Sequence, residues 1–245
     1  MIRIPATIRA VSFDFANTLY PLRSGELEQT IESLHAFLES AVGYPVDYDD
    51  LRGVYLAVRE RQFTENRPTL RENDFTERIA HTVSAALGGA PPPPDLVAAA
   101  EDAYSQGFQR TMTMPYGLCD TIAAISERFK GRVAVCSNFI RADAIRGPLE
   151  RDGIMPFLKG VVVSCEVGFI KPHPAVFREL LRTLDVPADQ IVHVGDDWDA
   201  DVLGATRCGM SAIYTTEWRD EIDSPYGTEA RTIAEIERLA DILEM

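Results

Sequence analysis

Hydrophobic positions follow two regimes along this chain. Five short runs are almost continuously apolar and rich in β-branched residues: roughly Ile8–Phe15, Arg132–Ser137, Gly160–Ser164, Gln190–Val194 and Ser211–Thr215. Runs without polar alternation suit strands covered on both faces, as in a parallel sheet. From the second run onward, segments of helical periodicity alternate with them, over Arg141–Arg151, Pro174–Leu184 and Ala200–Arg207. Strand and helix in turn, at this spacing, predict a doubly wound α/β fold.

The second regime lies between the first two runs. Residues 22–112 show helical spacing (Leu27, Ile31, Leu34, Leu38; then Leu51, Val54, Tyr55, Val58) and almost no strand signal. Breakers at Gly43-Tyr44-Pro45, Arg67-Pro68 and Gly88 to Pro94 divide the stretch into about four helices. The prolines Pro91 to Pro94 read as a stiff connector between two of them. The expected organisation is therefore a core of 1–21 plus 113–245 and an inserted helical module of 22–112. The C-terminal stretch Thr232–Leu243 has helical spacing and is expected to pack as a helix on the sheet, after a loop over Thr216–Gly227.

Charge narrows the partners. With 24 basic and 38 acidic side chains the net charge is −14, a field that repels nucleic-acid backbones and anionic membranes. It also hinders capture of a small anion, which needs a local cation or metal. No apolar run approaches the ~20 residues that span a bilayer, and the N-terminus lacks the pattern of a secretory leader. Cys119, Cys136, Cys165 and Cys208 are scattered without a Cys-x-x-Cys pair. The expectation is free thiols in a reducing, cytoplasmic setting.

Four polar islands fall at the predicted strand ends, where open α/β sheets place their sites. They are Asp14-Phe15-Ala16-Asn17-Thr18-Leu19, Ser137-Asn138, Lys171-Pro172, and Gly195-Asp196-Asp197-Trp198-Asp199-Ala200-Asp201. Taken singly, each has a structural explanation as a cap, a turn or a solvated side chain. Taken in this order, each at a strand end, they do not.

The arrangement resembles the haloacid dehalogenase-like superfamily over nearly the whole chain, most specifically in the strings KPHPAVF and GDDWDADVLGATRCGM. The resemblance implies a Rossmann-like doubly wound parallel sheet with an inserted α-helical cap domain, the cap being the module of 22–112. The short stretch from Asn138 to Lys171 leaves no room for a second cap. It also implies a Mg²⁺-dependent hydrolase with Asp14 as nucleophile, acting on a small phosphorylated metabolite. Ser137 and Lys171 would share the catalytic work, with Thr18 and Asn138 at the phosphate. Asp201 would orient the lysine, and Asp197 or Asp199 would support metal-bound water. The metal ligands would be Asp14, Asp196 and the main-chain carbonyl of Ala16. A sheet order of 3-2-1-4-5 would bring Asp14 and Asp196 together at the switch point, where two carboxylates repel unless a cation lies between them.

Ala16 departs from the pattern. Phosphatases of the superfamily carry at this position an Asp that protonates the leaving oxygen and then activates water, a contribution of about 10²–10⁴-fold. Two alternatives follow from the gap: a haloacid dehalogenase-type carbon–halogen hydrolase, and a catalytically weak member that binds a phosphorylated ligand. The dehalogenases lack the Gly-Asp metal motif retained here. Phosphonoacetaldehyde hydrolases also carry Ala but need a cap lysine, and the lysines of this chain, Lys130, Lys159 and Lys171, all lie outside 22–112. The cap arginines Arg52, Arg59, Arg61, Arg67, Arg71 and Arg78 read chiefly as a solvated helical surface. His35, His81, His173 and His193 show no metal-ligand spacing and receive no role.

Overall fold

The computed structural model describes residues 4–218, 232–236 and 238–243. The chain divides into two compact units, one of residues 1–22 with 113–245 and one of 23–112.

The first unit is built on a parallel sheet of β1 (Ala10–Phe13), β2 (Val133–Ser137), β3 (Gly160–Val163), β4 (Ile191–Gly195), β5 (Ser211–Thr215) and β6 (Thr232–Ile236). Their spatial order is β3-β2-β1-β4-β5-β6. Strands β1, β2 and β4 are buried along their whole length, as their continuous apolar sequence requires. The helices of this unit are α5 (Leu118–Arg128), α6 (Ala142–Arg151), the single turn α7 (Ser164–Val167), α8 (Pro174–Leu184) and α9 (Gly204–Arg207). Helix α8 shows why sequence and packing agree. Pro174 opens it, the His173 ring accepts the Ala175 amide at 3.2 Å, and Val176, Phe177, Leu180 and Leu184 form its buried stripe. That stripe covers Ala10, Ala134, Cys136, Val162 and Ile191, one residue or more from each of four strands.

Two expectations need correction. The stretch Thr232–Leu243 is not a helix: Thr232–Ile236 pairs in parallel with β5, and a short 3₁₀ turn, Leu239–Leu243, follows. β5 offers an open edge of unpaired amides and carbonyls, and the run Thr-Ile-Ala-Glu-Ile carries the β-branched residues that suit it. The turn is held where Arg128 Nη1 donates to the Ile242 carbonyl at 2.5 Å and the Leu239 amide donates to Glu217 Oε2 at 2.6 Å. The helix expected over Ala200–Arg207 begins instead as a π-helical turn, Trp198–Leu203. There the Asp201 and Val202 amides both bond the Asp197 carbonyl, at 2.9 and 3.3 Å. Of the expected loop over Thr216–Gly227, residues 219–227 lie outside the described residues.

The second unit consists of α1 (Glu26–Val42), α2 (Tyr48–Asn66), α3 (Phe75–Ala86) and α4 (Pro94–Thr111). Asp47 and Asp74 cap α2 and α3, each accepting a backbone amide three residues on at 2.9 Å. Pro94 occupies the first turn of α4, so the proline run is the connector into that helix. Helices α1 and α4 meet at close range because Gly107 has no side chain: a Cβ there would fall 2.7 Å from the Ser33 Cβ.

One arginine of this unit is not on the surface. Arg78 is 2% exposed, donating through Nε and Nη2 to Gln62 Oε1 at 3.1 and 2.9 Å and through Nη1 to the Tyr55 hydroxyl at 3.3 Å. Gln62 Nε2 in turn donates to Glu77 Oε2 at 2.8 Å, so an amide relays the buried cation to a carboxylate. Arg52 and Arg61 do behave as surface residues, paired with Glu28 and Glu77 at 2.6 Å. None of the described helices is long and apolar enough to cross a membrane.

Phe177 is fully buried where α8 meets the sheet. Phe177→Ala is expected to lower unfolding stability by about 3–5 kcal/mol, read as a shifted midpoint in urea titration of the full chain.

Candidate active site

The register of the sheet brings the polar islands to one end of it. Phe13 lies opposite Val194 in the β1–β4 ladder, and the Asp14 amide continues that ladder by donating to the Val194 carbonyl at 2.8 Å. Asp14 and Asp196 thus leave neighbouring strands within two residues of the last pair. A ligand oxygen from each of Asp14, Asp196 and Asp201 can be chosen so that all lie within 4.8 Å of one another, and all three residues are buried.

Lys171 enters this cluster from the loop after α7. Its Nζ, on a side chain 2% exposed, donates to Asp14 Oδ1 at 2.7 Å, to Asp201 Oδ1 at 2.6 Å and to the Cys136 carbonyl at 2.7 Å. Those three acceptors match the three N–H groups of an ammonium. Burial works against the charge on Lys171, but Asp14 and Asp201 outweigh it and hold the amine protonated well above the ordinary range. Burial likewise opposes the charge on Asp201. There Lys171 and His193 prevail, and the carboxyl is held well below its usual value. Asp14 goes the other way: burial, with the charge of Asp201 added, raises it despite Lys171.

The loop after β1 is tightly folded. The Leu19 and Tyr20 amides both bond the Phe15 carbonyl, at 2.9 and 3.0 Å, and the Asn17 amide bonds the Tyr20 carbonyl at 2.7 Å. Asn17 adopts a positive φ of 52° and accepts the Leu22 amide on its side chain at 2.9 Å. Ala16, at the turn, presents only a methyl group. Thr18 points its hydroxyl towards Asp196 Oδ1, at 3.4 Å.

Asn138, expected at the phosphate, and Asp197, expected to support metal-bound water, are both engaged with the frame. Asn138 accepts the Lys171 amide at 2.6 Å and donates to the Lys171 carbonyl at 3.1 Å, clamping the lysine's own backbone. Asp197 is exposed and caps the turn that follows, accepting the Ala200 amide at 2.8 Å. Asp199 is exposed as well. Ser137 ends β2, 2% exposed, with no side-chain hydrogen bond to another described residue.

His193 carried no signal in the sequence beyond its place in an apolar strand, yet it belongs to this cluster. It is fully buried on β4, directly opposite Ser12 in the β1–β4 register. Its Nδ1 lies 2.8 Å from Ser12 Oγ and its Nε2 lies 3.2 Å from Asp201 Oδ1. Only the register reveals the contact with Ser12, which is far from His193 in the chain.

Gly195 explains how Asp201 fits so close to the strand. A Cβ at that position would lie 2.2 Å from Asp201 Oδ2. The same oxygen accepts the Asp197 amide at 3.1 Å.

The donor set suits a hard divalent cation. Asp14, Asp196 and Asp201 each bring a carboxylate oxygen to one point. Mg²⁺ would suit such oxygen ligands, with waters filling the rest of its coordination.

A parallel sheet with a buried carboxylate cluster and a lysine at its carboxyl end defines a Rossmann-like α/β protein with a crevice site. The chain belongs to the haloacid dehalogenase-like hydrolase family, whose profile matches residues 8–209. It is 30% identical to the glyceraldehyde 3-phosphate phosphatase of Methanopyrus kandleri, covering 97% of each chain. It is 28% identical to the ribulose-1,5-bisphosphate 5-phosphatase of Halopiger xanaduensis, covering 95% of this chain and 93% of that one. Among solved structures, a 2-haloacid dehalogenase from Pseudomonas syringae superposes with a TM-score of 0.72 at 20% identity, over 97% of both chains. At that identity the likeness concerns the fold. The family and its phosphatase relatives make this chain a hydrolase of the phosphatase type.

Gly195→Ala is expected to displace the Asp201 carboxylate and to cost about 1–3 kcal/mol, as overpacking a filled site does. Urea titration measures the loss, and a crystal structure of the variant should show Asp201 moved off Lys171.

Proposed function

We propose that the protein is a Mg²⁺-dependent phosphatase that uses Asp14 as nucleophile on a small phosphorylated metabolite. The observation that carries this reading is the buried lysine bridging Asp14 and Asp201 beside a third carboxylate, Asp196. Asp14, Asp196 and the main-chain carbonyl of Ala16 would hold the metal, which when bound supplies positive charge against the phosphoryl oxygens. The phosphatase relatives act on a triose phosphate and a pentulose bisphosphate by name, which favours phosphorylated sugars and related metabolites as the first substrates to try.

The residues then divide the work. Asp14 attacks phosphorus, the bond from phosphorus to the substrate oxygen breaks, and an aspartyl-phosphate forms that water then hydrolyses to return Asp14 and release phosphate. Forming this mixed anhydride removes the charge that Lys171 Nζ was bonding, so that N–H is released to a phosphoryl oxygen while Asp201 and the Cys136 carbonyl keep the ammonium in place. The Ser137 hydroxyl, unengaged with described residues at the end of β2, is available to the same oxygens. Thr18 turns to Asp196, and Asn138 acts by fixing the loop that carries Lys171.

Proton transfer is the weak point. The methyl group of Ala16 can neither protonate a leaving alkoxide nor activate water, so good leaving groups gain most from this site. Aryl and acyl phosphates should outpace alkyl phosphates, with a burst of phosphoenzyme where hydrolysis of the intermediate lags.

The test is burst and steady-state kinetics in Mg²⁺ on p-nitrophenyl phosphate and on alkyl phosphates that include glyceraldehyde 3-phosphate. Asp14→Asn should abolish turnover with the fold intact, and retained activity would remove the covalent route. Ala16→Asp should raise alkyl-phosphate turnover by about tenfold or more, from the usual range of general acid–base catalysis. A parent that already turns over alkyl phosphates rapidly, with no gain in Ala16→Asp, would place the proton donor elsewhere. A single stoichiometric burst without turnover would favour a phosphate-binding role.

A further inference from the structure

His193 is a buried titratable side chain that this mechanism leaves unused. Its environment fixes its tautomer. Nε2 faces Oδ1 of Asp201 at 3.2 Å, and an ionised carboxylate accepts but cannot donate, so Nε2 carries the hydrogen. In the neutral ring Nδ1 is then left to accept, and Ser12, whose Oγ stands 2.8 Å away, supplies the hydrogen. The edge of the Phe177 ring packs at a centroid distance of 5.8 Å and an interplanar angle of 86°. Sheet, helix and Ser12 together leave the imidazole one orientation.

We propose that His193 is a positioning residue for the hydrolase reaction, acting through Asp201 on Lys171 and Asp14. The chain of contacts is continuous: Ser12 Oγ to His193, His193 Nε2 to Asp201 Oδ1, Asp201 Oδ1 to Lys171 Nζ, and Lys171 Nζ to Asp14 Oδ1. Asp201 Oδ1 is thus shared by two donors, the ammonium at 2.6 Å and the imidazole at 3.2 Å, while Oδ2 takes the Asp197 amide at 3.1 Å. The imidazole does two things for that oxygen. It fixes the plane of the carboxylate, and it draws on electron density that would otherwise bind Lys171 more tightly. Lys171 therefore remains able to pass an N–H from Asp14 to a phosphoryl oxygen as charge moves there. His193 touches neither the nucleophile nor any phosphoryl oxygen. Its effect belongs in the chemical step and not in substrate affinity.

This inference rests on the phosphatase reading, and the experiment separates the two. His193→Gln retains an amide N–H near the position of Nε2, His193→Asn retains one only near Nδ1, and His193→Phe retains the ring without either. With p-nitrophenyl phosphate and Mg²⁺, His193→Gln should stay within about threefold of the parent in kcat. His193→Asn and His193→Phe should fall by about tenfold or more, the scale typical of losing a partner that orients a site residue, with KM changed less than about threefold. Thermal unfolding of each variant shows whether it is folded at the assay temperature. ¹⁵N NMR of the parent should show His193 protonated at Nε2 and bare at Nδ1. Parent-like kcat in a folded His193→Asn, an equal loss in Gln and Asn variants, or a bare Nε2 would each overturn the proposal while leaving the phosphatase reading standing. A parent without turnover on any phosphate ester would overturn both.

Discussion

Everything at this site is arranged around one buried ammonium. Taking Lys171 out of water is costly, and the cost is offset only if every N–H finds an acceptor and the charge finds a counter-charge. The three acceptors come from three separate places: the loop after β1, the end of β2, and the turn after β4. Satisfying one lysine therefore fixes the spacing of three strand ends. Asn138 completes the restraint by gripping the lysine's backbone on both sides. The position of Asp14 follows from the needs of its neighbour.

The same group sets the electrostatics. Lys171 and His193 stabilise the charge of Asp201, whereas Asp14 is raised by burial and by the charge of Asp201. Three buried carboxylates meet at this one corner of the sheet. Burial opposes the charge of Asp14, and a nearby cation would favour it. Under the proposed function, Lys171 and that cation would supply the local positive charge that a chain of net charge −14 needs to hold an anionic substrate.

Packing beneath the site is as exacting as the polar layer. Gly195 leaves the space that Asp201 occupies, and the π-helical turn at Trp198–Leu203 swings Asp201 back onto β4. Phe177 from α8 supports His193 from below. The second unit has its own interior, where Arg78 is buried among Gln62, Tyr55 and Tyr104 instead of lying on the surface. Helical periodicity alone gave that arginine no reason to be inside.

The sequence by itself determined the class of fold, the strand runs, the helical insertion and the identity of the residues at the strand ends. These are local properties: apolar continuity marks a strand covered on both faces, and polar residues that follow several such strands in turn point to a shared crevice. It did not determine the last strand, because Thr232–Ile236 is read by its neighbour β5 and not by its own periodicity. Nor did it reveal that Asn138 and Asp197 brace the frame, or that Ser12 and His193 join the polar cluster. Those facts depend on register, on which residue of one strand lies opposite which residue of another. A shift of one position between β1 and β4 would part His193 from Ser12, so only the assembled sheet could decide it.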